Sequence, residues 1–273
     1  MKKYIRNSGI LLFCLIAICC NRKEKPQSGN QDRENFHLFL LVGQSNMAGR
    51  GLVEQEDTIP YPRVLTLTKD ENWAPAIDPI HFDKKVAGVG PGRTFGITLA
   101  ERNKEITIGL IPCATGGSPI SVWKPGQEWY QTQSYPYDDA IRRTKRAIKD
   151  GVLKGILWHQ GSSDCKPGLA EEYEKNLKDL IKRFREDINA PNVPFIIGKM
   201  GQFPGKPLTP SEEMVNEAHL SIAKESKLNG FVSSDGLTFN SDSIHFDAIS
   251  QREFGRRYAE VYLKVAEQIT ATY

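Results

Sequence analysis

Val42-Gly43-Gln44-Ser45-Asn46-Met47-Ala48-Gly49 follows directly on Phe36-His37-Leu38-Phe39-Leu40-Leu41, an apolar run of strand length. An apolar run that gives out into glycine and asparagine reads as a buried strand ending in a tight turn. Ser45 stands on that turn. A nucleophilic serine needs this placement, because its hydroxyl must project into a cleft, reach a base and have free backbone N–H groups beside it to hold an oxyanion. The same position also suits a serine that only caps the next turn, so both readings stand until a base is found.

Outward from this turn, strand-like and helix-like stretches alternate. Arg63 to Leu67 alternates as a short strand, and the loop Ala87 to Gly92 leads into a helix over Arg93 to Lys104. The β-branched run Ile106 to Ile111 closes at Pro112 and is followed by the glycine turn Ala114-Thr115-Gly116-Gly117-Ser118. The pattern repeats with a helix over Asp138 to Lys149, the strand Gly155 to Trp158 and the turn His159-Gln160-Gly161-Ser162-Ser163-Asp164. Then come a helix over Ala170 to Asp187, the strand Phe195 to Gly198, a helix over Ser211 to Lys227 opened by Ser211, the strand Gly230 to Ser233 and a closing helix over Ala248 to Ile269. Strands and helices alternating at this interval predict one α/β domain, a mostly parallel sheet with helices on both faces. Ligands of such sheets bind at the carboxyl ends of the strands, where the glycine turns of this chain lie.

The 273 residues and 39% hydrophobic content are ordinary for a globular chain with a substantial core. The formal charge of +3 is concentrated at the start: without Lys2, Lys3 and Arg6 the basic residues number the same as the 33 acidic ones. This balance, and the lack of any arginine-aromatic ladder, argue against a nucleic-acid partner. No metal-ligand spacing is present and no cofactor is implied.

Those three basic residues precede the apolar stretch Gly9 to Ile18, too short to span a bilayer, and together they read as an export signal. The stretch stops at Cys19-Cys20 and polar residues follow, which resembles the lipobox of bacterial lipoproteins. That resemblance implies a signal peptide over residues 1–19 and lipidation at Cys20, since the peptidase favours a small residue before the modified cysteine; an ordinary cleaved signal is the alternative. Residues 20–35 are polar and are expected to form a disordered tether, leaving a folded domain over 36–273. The only membrane contact expected is the lipid anchor, with the protein periplasmic or at the cell surface. Cys113 and Cys165 each follow a strand entering the same sheet edge, so they are expected near each other, and an oxidising compartment would allow a disulfide.

Near the C-terminus comes Asn240-Ser241-Asp242-Ser243-Ile244-His245-Phe246-Asp247. An Asp three residues before a His, in a loop entering a helix, can fold its carboxylate onto one ring nitrogen while the other faces outward, which makes an oriented general base. Ser45 follows the first strand and His245 the last, so both can reach one edge of the sheet.

At this point the chain resembles the SGNH hydrolases, and within them the branch of sialate O-acetylesterases and acetyl xylan esterases. Gly43 to Gly51 is similar to that branch's first block, Ala114 to Ile120 with Trp123 to its second, Trp158 to Asp164 to its third, and Asp242 to Phe246 with the helix Gln251 to Tyr258 to its last. The resemblance implies a three-layer α/β/α sandwich of flavodoxin-like type and a serine esterase that removes acetyl groups from sugar hydroxyls, its partner an acetylated carbohydrate. It assigns Ser45 as nucleophile, His245 as base and Asp242 as the acid that holds the imidazole. The oxyanion donors it implies are Ser45, Gly117 and Gln160. Two departures accompany it. The superfamily's Gly-x-Asn-Asp is here Gly161-Ser162-Ser163-Asp164, so Gln160 or Ser163 must replace the Asn donor. Ser162 also stands where the branch usually has Glu, which suggests a glycan-binding protein with weakened turnover as an alternative, beside a lipase or thioesterase of the same superfamily. His37 and His219 are expected to be structural, and Trp123, Trp129 and Tyr130 to pack in the core or a loop, with sugar stacking as the other option.

Overall fold

In the computed structural model, which describes Met1 and residues 28–202 and 205–271, the strand β1 (Phe36–Gly43) is central. Its neighbours are β4 (Thr107–Pro112) and β5 (Val152–His159), both parallel to it. Beyond β4 lies β2 (Val64–Leu67), and beyond β5 lie β6 (Phe195–Gly198) and β7 (Asn229–Val232), again parallel. The edge strand β3 (Trp73–Pro75) runs antiparallel to β2 and completes seven strands in the order β3-β2-β4-β1-β5-β6-β7. The chain therefore leaves β1 toward one edge, returns through β4 and crosses to β5. That reversal of direction at the carboxyl end of β1 is where sheets of this kind open a binding crevice.

Side chains of β1 alternate between two apolar layers, as strand geometry requires. Leu38, Leu40 and Val42 pack with α4 (Pro136–Ala147), α5 (Ala170–Asp187) and α6 (Pro210–Glu225) on one face. Phe39 and Leu41 pack with α3 (Pro91–Arg102) and α7 (Ala248–Thr270) on the other. The expected three-layer α/β/α sandwich is thus what forms, with β1 fully buried from Leu38 to Val42. Truncating one such residue, Phe39→Ala for example, removes contacts worth about 3–5 kcal/mol.

The structure departs from the sequence reading at element ends and in three places more. α3 and α4 begin two residues early because Pro91 and Pro136 occupy first-turn positions, where a missing N–H costs nothing. α6 is opened by Thr209, not Ser211: Thr209 accepts the Glu212 N–H, and the Glu212 carboxylate accepts the Thr209 N–H in return. The short strand β3 falls in a stretch expected to be loop. The expected tether ends in a helix, α1 (Ser28–Glu34), tied to the domain by Arg33, which donates to the Ile148 carbonyl at 3.0 Å. Residues 2–19 of the expected signal peptide, and with them Cys19, lie outside the described residues, as does Cys20. No described helix is long and apolar enough to cross a membrane.

Candidate active site

Ser45 is set by the way β1 ends. Gly43 has φ of 130°, and a Cβ there would lie 2.1 Å from the His159 carbonyl oxygen, so glycine lets the tips of β1 and β5 close on one another. The Gln44 N–H donates to that carbonyl at 2.9 Å, and the Gln44 side-chain oxygen accepts the Gly161 N–H at 3.2 Å. Ser45 then opens the one-turn helix α2 (Ser45–Ala48). The N–H groups of Met47 and Ala48 return to the Gln44 carbonyl, whereas that of Ser45 has no partner among the described residues, the usual condition of a first helical position.

His245 stands opposite. Its Nε2 lies 2.9 Å from Ser45 Oγ and its Nδ1 lies 2.7 Å from Asp242 Oδ2. The other Asp242 oxygen accepts the N–H groups of Ile244 and His245, each at 2.9 Å, so one carboxylate folds its own loop and orients the ring. Burial presses the Asp242 carboxyl pKa upward, but the hydrogen bonds from the His245 ring and from the two backbone N–H groups outweigh it and leave the pKa below the ordinary carboxylate range. With the carboxylate on Nδ1, the proton of neutral His245 belongs on that nitrogen, and Nε2 is free to accept from Ser45.

Asn46, which sequence reasoning gave no role, joins the two segments. Its side-chain oxygen accepts the Phe246 N–H at 3.0 Å, and its amide donates to the Ile244 carbonyl at 3.2 Å, gripping His245 from both sides. Asn240 adds a bond to the Arg50 carbonyl at 2.9 Å. The signal was the amide next to the serine in a turn, which only the closing loop explains.

Gly117 lies on the turn after β4 with φ of 78°. That turn is held from three sides. Thr115 N–H donates to the Gly43 carbonyl at 2.8 Å, Gly116 N–H donates to Asp83 at 2.8 Å, and the indole of Trp129 donates to the Gly116 carbonyl at 3.1 Å. Asp83 in turn pairs with Arg50 at 2.7 Å, both side chains almost wholly buried, so Asp83 ties the first block to the second. The Ser118 N–H is engaged by Thr115, and the Gly117 N–H has no partner among the described residues.

Gln160 corrects an expectation. Its amide nitrogen donates to the Ser118 carbonyl at 3.0 Å and to Asp164 at 2.5 Å, and its oxygen accepts the Tyr173 hydroxyl at 2.9 Å. Fully buried with its donors engaged, Gln160 braces the turn and does not face an oxyanion. Ser163 does not replace it either, since its hydroxyl donates to the Gly117 carbonyl at 2.9 Å. Burial raises the Asp164 carboxyl pKa, against the bonds from Gln160 and the Ile120 N–H.

The remaining residues singled out from sequence sit as follows. His219 is fully buried beside the Tyr173 hydroxyl at 3.0 Å and His37 is half-buried on β1. Trp123 and Trp129 are buried and Tyr130 is exposed. Cys113 and Cys165 are both free, not a disulfide. The Cys165 thiol lies on the Gly161 carbonyl and the Met200 sulfur, on the β5 side, while Cys113 follows β4. Among the described residues no cluster of three or more His, Cys, Asp or Glu is placed to hold a metal.

A probable carbohydrate esterase of Arabidopsis thaliana is 34% identical over 267 residues, covering 88% of this chain and 95% of its own. The X-ray structure of that plant protein superposes with a TM-score of 0.73 at 33% identity, over 84% of this chain and 98% of its own. NanS (TM-score 0.69, 16% identity, 87% of this chain and 99% of its own) and a carbohydrate acetylesterase from Xanthomonas citri (0.66, 18%, 85% and 57%) share the fold. Residues 35–264 match the family model for carbohydrate esterases described as sialic acid-specific acetylesterases, and the chain belongs to that family.

Proposed function

We propose that the protein is a serine esterase that removes O-acetyl groups from carbohydrates through an acetyl-enzyme. The observation that carries this reading is the continuous contact Ser45 Oγ to His245 Nε2 to Asp242 at 2.9 and 2.7 Å. Ser45 attacks the ester carbonyl as His245 takes its proton, and Asp242 holds the tautomer and stabilises the imidazolium. The oxyanion lies on the N–H groups of Ser45 and Gly117, each such donor being worth roughly 3 kcal/mol of barrier. His245 returns the proton to the sugar oxygen as the ester bond breaks. It then takes a proton from water, which attacks the acetyl-enzyme, and gives it back to Ser45 as acetate leaves.

Acetate release from acetylated xylan and from acetylated sialic acid tests the reading, with Ser45→Ala as the control that must abolish it. A protein that binds the glycan without releasing acetate would instead support the binding role suggested by Ser162, and a preference for long acyl chains would support the lipase reading. We also propose that the protein is exported and acylated at Cys20, supported by the basic start, the short apolar run and the abrupt cysteine pair. Cys20→Ala should then be soluble or unprocessed; normal cleavage and membrane retention of that variant would refute the assignment.

A further inference from the structure

In acyl transfer the oxyanion and the leaving oxygen occupy different corners of one tetrahedral carbon. The oxyanion is assigned above to the N–H groups of Ser45 and Gly117, the latter on the β4 side. The leaving oxygen must lie within reach of His245 Nε2, which protonates it. The leaving group therefore extends along the loop that carries His245, on the β5 and β6 side.

A cavity of about 260 Å³ lies there, bordered by Asn46, next to the nucleophile, and by Ser243 and Ile244, next to the base. Its other walls are Cys165, Met200 and Leu208, apolar in character, and the polar side chains of Ser162, Lys206 and Glu212. An apolar floor with a few polar groups is the usual make-up of a small-molecule site, and it suits a pyranose, whose ring faces are apolar and whose edge carries hydroxyls. The Glu212 carboxylate is fixed in place by the Thr209 N–H at 2.7 Å and the Thr209 hydroxyl at 2.9 Å. Its charge reaches Cys165 across the cavity and, after burial, is the next cause holding that thiol protonated. Lys206 is the cation of the cavity, but it is exposed and keeps its hydration. The charge in this cavity that hydrogen bonds hold in place is that of Glu212.

We infer that this cavity is the subsite for the leaving sugar, with Glu212 and Ser162 reading its hydroxyls, and that it favours a neutral pyranose over a sugar acid. A sugar carboxylate would meet fixed negative charge, whereas a hydroxyl donates to it. The inference rests on the acetylesterase reading and goes beyond it, because the description of the family names sialic acid.

The test compares kcat/KM for acetylated xylobiose, O-acetylated N-acetylneuraminate and p-nitrophenyl acetate in the wild type, Glu212→Gln and Ser162→Ala. The wild type should favour the xylobiose ester over the sialate ester. Glu212→Gln, which keeps a side chain able to cap α6, should lower the xylobiose-to-aryl ratio about tenfold, the scale of one hydrogen bond to a charged group, and narrow the preference over sialate. Ser162→Ala should lower the same ratio about threefold. A wild type that prefers the sialate ester, or ratios unchanged within about twofold in both variants, overturns the inference. Calorimetric titration of xylobiose into Ser45→Ala and Ser45→Ala/Glu212→Gln needs no turnover. Binding that weakens in the double variant upholds the subsite even where the wild type releases no acetate, an outcome that removes only the esterase reading. No binding to Ser45→Ala, or equal binding to both, overturns the subsite.

Discussion

The Ser163 hydroxyl donates to the Gly117 carbonyl at 2.9 Å, so the residue at the third block's usual Asn position grips the second block instead of facing substrate. The Gly117 N–H shares its peptide plane with the Gly116 carbonyl, which the Trp129 indole holds at 3.1 Å, and Ser163 holds the next plane, hinged to it at the Gly117 Cα. Ser163 is thereby a positioning residue for the oxyanion.

Ser163→Ala should accordingly lower kcat by about tenfold to a hundredfold with KM nearly unchanged, a fraction of the roughly 3 kcal/mol that a whole oxyanion donor contributes. Ser163→Thr keeps the hydroxyl and should recover most of the loss. A kcat unchanged once corrected for the folded fraction, or no recovery with threonine, would assign Ser163 to folding alone.

Asp242 is the carboxylate that holds His245. Asp242→Asn should lower kcat by about 10³-fold or more, on the order of 4 kcal/mol, with little change in substrate binding. Ser162→Glu in that background should be neutral or partly restorative. Nearly full acetate turnover by Asp242→Asn would show that its carboxylate is not the group that matters.

Asn46 makes three bonds, to Phe246, Ile244 and Gln251. Asn46→Ala removes the bonds to the Phe246 N–H and the Ile244 carbonyl. It should cost about 1–3 kcal/mol of stability, readable in denaturant unfolding, and slow turnover as His245 loses its hold. A variant as stable and active as the wild type would mean that the loop is held by Asp242 alone.

His159 and His219 are wholly buried, and their surroundings hold them neutral. Burial lowers the His159 pKa to about 4, against its bond to the Lys199 carbonyl, and burial with the neighbouring His159 lowers that of His219 to about 3. The unfolded chain binds these protons near pH 6.5, so below that pH it takes up more protons than the native state and stability falls as pH drops. Between pH 6.5 and 4 each group can remove about 3 kcal/mol. Denaturant midpoints should drop across this window, and less steeply in His219→Leu; a slope unchanged in the variant would put the acid sensitivity elsewhere.

The fold was readable because its signals are local. Apolar runs, glycine turns and helical spacing mark six of the seven strands and the five long helices, with helix ends off by up to two residues, whereas β3 has three residues and is recruited to the edge by pairing with β2. Ser45, Asp242 and His245 were readable because strand-to-turn placement and an i,i+3 carboxylate are short-range patterns. Gln160 misled because a block motif gives a position and not a direction: Ser118, Asp164 and Tyr173 decide where its amide points. Cys113 and Cys165 pack against the same apolar layer and form no disulfide, which strand order alone does not decide.

Ser45 and His245 are 200 residues apart, and the helix that follows His245 packs closely on α3, where a Cβ at Gly255 would lie 2.4 Å from the Pro91 carbonyl oxygen. A chain cut short during synthesis would carry a nucleophile with nothing to activate it. On the proposed mechanism turnover is a full-length readout: acetate release requires both the segment that carries Ser45 and the segment that carries His245 to be made and docked.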